Sequence, residues 1–179
     1  MNLLEAATTD IQLQTFLRVT GIGEEDLHIL REAADDVRPF LPEVVALLVQ
    51  NLEAEVEVMK RLQSSHQDYF SVLAEWLNLL FTGPHDGSFL IHQEKIGEQH
   101  VQQKIPPLYN AFIMSFLRAA LPNVMGKHGI SQRFPEGQLT AATLRLLDLC
   151  QFVIDRAYTV RLLAVTGISK TLLDRLMTA

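Results

Sequence analysis

The sequence predicts an all-α protein. Almost every long segment repeats apolar residues at steps of three and four, and no pair of alternating runs is joined by an Asn-Gly or Asp-Gly turn. At 179 residues, 48% of them apolar, the chain can bury one sizeable core but is short for two ordinary domains, so a single domain is expected.

The elements follow in order. A first helix is expected over about residues 9–19, with residues 8–10 able to cap it and Gly21 and Gly23 breaking it. Glu24, Glu25 and Asp26 favour the N-terminus of a second helix over 24–37. Pro39 and Pro42 punctuate the chain before a third helix at 44–52. A fourth, about 56–81, sets Leu62, His66, Tyr69, Leu73, Leu77 and Leu80 in one stripe, which turns His66 and Tyr69 toward the interior. The loop 82–87 ends it, and a shorter helix over about 88–104 carries Phe89, Ile96 and His100. Pro107 suits the first turn of a sixth helix, about 107–124, with Leu108, Phe112, Phe116 and Ala119 on one face. The last long helix, about 136–165, has two apolar faces: Leu139, Ala142, Leu146, Leu149, Val153, Ala157 and Val160, and then Leu144, Leu147, Ile154 and Tyr158. That pattern predicts a core on one side and a partner on the other. After Gly167, residues 168–177 read as a short terminal helix.

Composition removes several function classes. Fifteen basic residues against 21 acidic give a net charge of −6, and the basic residues are scattered rather than gathered into a stripe, which argues against nucleic acid. No apolar run approaches the roughly 18 residues of a membrane span, and residues 1–10 lack a basic region followed by an apolar core, so a soluble cytoplasmic protein is expected. The single cysteine, Cys150, lies in an apolar run; it reads as a buried reduced thiol and excludes an internal disulfide or a cysteine metal cluster.

The six histidines contain no His-x-x-x-His pair for zinc, and there is no phosphate-binding glycine loop and no Gly-x-Ser-x-Gly elbow. Nucleophilic catalysis has little to stand on, and the expectation is a protein that is not an enzyme. His85, His92 and His128 stand in loop or polar surroundings and read as solvated. What remains is His100 on a short helix, with a long preceding helix whose apolar face, carrying His66 and Tyr69, can turn toward it. That arrangement suits haem, which needs an imidazole on one side of its iron and apolar walls around the macrocycle. Burying ~400 Å² of macrocycle at roughly 25 cal/mol per Å² supplies on the order of 10 kcal/mol before association costs, so one axial histidine can suffice.

Three stretches also carry a resemblance: Leu80-Phe81-Thr82-Gly83-Pro84-His85-Asp86, Lys95-Ile96-Gly97-Glu98-Gln99-His100 and Ile105-Pro106-Pro107-Leu108-Tyr109. Together they resemble the Phe-x-Gly, Ile-Gly-x-x-His and Pro-x-aromatic pattern of sensor globins, the family of globin-coupled sensors and protoglobins. The resemblance implies a globin-like fold with an extra N-terminal helix over residues 1–166, and 167–179 as the start of a signalling connector. It implies haem b with His100 as the proximal iron ligand, a diatomic ligand (O2, CO or NO), a homodimer through the last two long helices, and a downstream signalling domain. Leu62, Tyr69, Leu73, Phe89, Ile96 and Phe112 are the candidate pocket walls.

Two departures bear on the chemistry. The family's third-helix Phe-Tyr pair is replaced by Ala46-Leu47-Leu48-Val49-Gln50, and its Arg-Ile-Gly after the proximal histidine by Gln102-Gln103-Lys104. On the fourth helix His66 could bind iron directly, giving a bis-histidine site, whereas Tyr69 could only donate a hydrogen bond to a bound gas. The rival expectation is a haem-free globin-fold interaction module of a stress-response assembly, as some members of the wider family are.

Overall fold

Local capping chemistry sets most helix ends. In a computed structural model, which describes residues 3–63, 69–135, 137–169, 171–173 and 175, the helices are α1 (Leu3–Ala6), α2 (Ile11–Thr20), α3 (Glu24–Val37), α4 (Leu41–Leu52), α5 (Val56–Gln63), α6 (Tyr69–Thr82), α7 (Gly87–Gln102), α8 (Pro107–Lys127) and α9 (Gln138–Thr166). There is no β-strand among the described residues. Asp10 accepts the Leu13 N–H at 3.0 Å and starts α2, slightly later than the sequence pattern suggests. Gly21, at φ 70°, ends the same helix. Asp26 reaches back to the Gly23 N–H at 3.0 Å to start α3. Pro42 does not delay α4: it falls in the first turn, where a missing N–H costs nothing, and the helix begins at Leu41.

Helix α9 forms the centre of the packing. α7 packs on it most extensively, α3 and α8 also pack on it, and α3 and α4 pack on α6. Both apolar faces of α9 are used by this chain: Leu139, Leu146, Leu147, Leu149, Val153 and Ile154 are all buried. Of the expected second face, Leu147 and Ile154 are buried in this chain's own core, while Leu144 and Tyr158 are half-buried. Only beyond Tyr158 does the helix turn apolar residues outward, at Val160, Leu162 and Val165.

The N-terminal helices dock on this core. Leu3 and Ala7 are buried, Phe16 stacks on Phe152 at 4.6 Å, and Asp10 pairs with Arg156. The single long helix expected over 56–81 is described as α5 and α6, with 64–68, including His66, outside the described residues. The terminal helix expected over 168–177 also lies largely outside them. No helix among the described residues is long and apolar enough to cross a membrane.

Candidate functional site

The site is built outward from the corner between α6 and α7. Gly83 donates its N–H to the Leu79 carbonyl at 2.9 Å, and a Cβ there would stand 2.5 Å from that same oxygen, so the corner demands glycine. His85 follows with φ 43°. Its ring is buried rather than solvated: Nε2 donates to the Leu80 carbonyl at 2.8 Å, and the ring meets Phe89 at 5.2 Å. A carbonyl only accepts, so the proton must sit on Nε2. Burial holds the His85 pKa below its ordinary value, and the ring is neutral. Asp86 then caps α7 through the Ser88 and Phe89 N–H groups.

From this corner α6 and α7 diverge around a narrow cleft of about 60 Å³ that opens to solvent. Tyr69, Val72, Leu73 and Trp76 line it from α6, and Ile96, Gln99, His100 and Gln103 from α7. Asn110, Ile113 and Met114 of α8 and Ile154 of α9 complete the walls. On the corner side the two helices are tied by a buried bond, Trp76 Nε1 donating to Gln93 Oε1 at 2.7 Å.

His100 is 6% exposed, and no hydrogen bond joins its ring to another described residue. Burial lowers its pKa to about 4 against the opposing pull of the Asp155 carboxylate, so the imidazole is neutral at pH 7, the form that binds metals. Its position depends on Gly97, one turn earlier. A Cβ at Gly97 would stand 2.3 Å from the Ile154 carbonyl oxygen and 2.9 Å from the Tyr158 nitrogen, so only glycine lets α7 lie this close to α9. After α7, Lys104 takes φ 56°, a left-handed conformation that favours glycine. The turn is closed by the Ile105 N–H on the His100 carbonyl at 2.8 Å.

Among the residues singled out in the sequence, Tyr69, Leu73, Ile96 and His100 meet in this cleft. Tyr69 is half-buried, and desolvation pushes its phenol pKa well above the usual value, leaving a neutral donor. Leu62 is fully buried but is not a wall of the cleft, and Phe89 packs at the corner against His85. Phe112 is 46% exposed: α8 turns Asn110, Ile113, Met114 and Leu117 inward, and Leu108, Phe112 and Ala119 face out. His66 lies outside the described residues. Sequence reasoning passed over Val72 and Trp76, although they share the stripe of Tyr69 and Leu73 at steps of three and four. It also passed over Asn110, a buried polar residue that no pattern marks.

No group of three or more His, Cys, Asp or Glu among the described residues could hold a bare metal ion. A lone imidazole can retain iron where a macrocycle brings the remaining donors, and the walls around His100 are mostly apolar, with Val72, Leu73, Trp76, Ile96, Ile113 and Met114 among them. The donor set and the apolar walls therefore fit haem.

Among the described residues the fold is helical, with a buried histidine facing an apolar cleft between two successive helices, as a globin domain requires. The Protoglobin family model matches residues 9–161, and the chain belongs to that family. It is similar in fold to the globin domain of a Geobacter sulfurreducens globin-coupled sensor, with a TM-score of 0.67 and 19% identity over 81% of this chain and 96% of that one. No curated protein matches the chain.

Proposed function

We propose that this Protoglobin-family domain binds haem b in the α6–α7 cleft with His100 as proximal ligand, and senses a diatomic gas (O2, CO or NO) or redox state rather than turning over a substrate. The observation that supports this best is His100 itself: a buried, neutral imidazole in an apolar cleft, with no hydrogen bond to another described residue. When bound, haem iron supplies a coordination position open to exchange and a one-electron couple.

The chain's own residues divide the remaining work. Trp76, Ile113 and Met114 exclude water, and Tyr69 offers a neutral phenol as hydrogen-bond donor. His66 is the competing candidate for a second axial position. Because α7 rests on α9 through Gly97, a shift of α7 is carried to α9, whose apolar end at Val160, Leu162 and Val165 would serve a homodimer and a downstream signalling partner.

The test is the absorption spectrum of the purified protein, supplemented with haem if colourless, in ferric and ferrous states and under carbon monoxide. Stoichiometric uptake with a sharp Soret band is expected. Split ferrous visible bands before carbon monoxide would place a second protein ligand such as His66 on iron, and one broad band would mean an open position. No uptake would overturn the proposal in favour of a haem-free interaction module in a stress-response assembly.

A further inference from the structure

Beside the cleft stands one carboxylate with an unusual set of partners. Asp155 follows Ile154, a cleft wall, on α9. Its Oδ1 accepts from Asn110 Nδ2 at 2.8 Å and its Oδ2 from Gln151 Nε2 at 3.3 Å. Gln151 is itself fixed, its Oε1 accepting from Arg118 at 2.6 Å, and Arg118 Nε donates to Asp148 at 2.8 Å. Both oxygens of Asp155 are thus positioned by neutral amides, while the cation is spent on Asp148. Asn110 is buried and, like His100, forms part of the cleft wall.

The helix contact at Gly97 brings these groups together. Gly97, one turn before His100, packs on the Ile154 carbonyl, and Asn110, which lines the cleft together with His100 and Ile154, holds Asp155 at 2.8 Å, so the carboxylate stands behind this stretch of the wall. A metal-binding imidazole ordinarily donates its second N–H to a carboxylate, which fixes its tautomer and orientation and strengthens it as a donor. We propose that Asp155, held by Asn110 and Gln151, is the positioning residue for His100, accepting one ring N–H across one water so that the other nitrogen is presented to the cleft.

The functional meaning of this role rests on His100 being the haem ligand, but the orientation can be measured either way. Ring nitrogen shifts of His100 are recorded at neutral pH in the haem-free full chain, because iron on one ring nitrogen would by itself fix the proton on the other. The wild type should show one tautomer. Asp155→Ala should show a mixture and lower haem affinity by about 10-fold or more. Asp155→Asn keeps an acceptor oxygen, so it should keep the tautomer but lose donor strength, seen as a lower iron–histidine stretching frequency. Asn110→Ala, which removes one anchor, should fall between wild type and Asp155→Ala.

An unchanged tautomer in Asp155→Ala would overturn the proposal and leave packing alone to orient His100. Should that variant fail to fold, the near-isosteric Asp155→Asn decides, and an unchanged stretching frequency overturns the proposal. A wild type that takes up no haem defeats the haem assignment instead, and the tautomer comparison still decides the role of Asp155.

Discussion

Two buried histidines flank the same helix and end in opposite states. His85, just before α7, is 1% exposed and gives its only N–H to the Leu80 carbonyl. His100, near the end of α7, is 6% exposed and has no hydrogen bond to another described residue. Burial holds both pKa values below the ordinary histidine range, so neither burial nor neutrality separates them. What separates them is where the ring points. His85 closes a backbone corner and leaves only an acceptor nitrogen, Nδ1, unpaired in the interior. His100 lines a solvent-open cleft with mostly apolar walls. A shifted pKa therefore marks desolvation in both, and only the surrounding space marks a candidate site.

The comparison breaks most decisively at His100. In His100→Ala, haem titration should show no stoichiometric uptake, added imidazole should restore part of it, and far-UV circular dichroism should retain its helical shape. Uptake and a ferrous spectrum like the wild type would make His100 no more of a ligand than His85. Next in size is Gly97→Ala. The added methyl would meet backbone atoms of Ile154 and Tyr158 that cannot swing aside. Even after the roughly 1 kcal/mol that alanine gains in a helix, overpacking should cost roughly 3 kcal/mol. Denaturant unfolding would measure it, with weakened haem uptake as the companion effect.

How much of this difference the sequence shows can be followed residue by residue. The helices were legible because apolar spacing and capping residues act locally: Asp10, Gly21 and Asp26 do in the structure what their positions suggest. His100 was legible through its spacing from Gly97 and from the corner glycine, and the structure gives that spacing a steric cause. His85 was not, since Gly-Pro-His-Asp-Gly has the composition of a solvent loop and its burial comes from distant parts of the chain. The inner face of α8 was hidden for a different reason. That helix is apolar around most of its circumference, so spacing alone cannot choose between Phe112 and Ile113. Asn110 and the Trp76–Gln93 bond join residues from different helices, and such pairs leave no local pattern.

The pH dependence of stability sharpens the comparison on the side of His100. Unfolded, its imidazole takes up a proton near the usual 6.5, whereas in the folded chain it does so only near 4. Between those values the unfolded state holds the extra proton, so His100 lowers stability progressively as pH falls from 6.5 to 4 and has no such effect above 6.5. In the haem-free protein the loss should be on the order of 2 kcal/mol by about pH 5. It is read as the difference between wild type and His100→Phe in denaturant melts at about pH 7.5 and about pH 5. Parallel losses in the two proteins would show that the folded ring is solvated enough to protonate.

The smallest effect is expected at His85, and it tests the other half of the contrast. His85→Ala leaves the Leu80 carbonyl without its donor and places alanine at φ 43°, where a side chain is strained. Together these should cost about 2 kcal/mol of stability. Because the ring closes the corner and is not a wall of the cleft, haem stoichiometry and the ferrous spectrum should match the wild type. His85→Asn discriminates further: asparagine tolerates the left-handed conformation, so it should recover the strain but not the bond, and lie between alanine and wild type in denaturant midpoint. A changed Soret band in either variant would show that the corner sets the geometry at His100, fifteen residues away, and that the two histidines work as one unit.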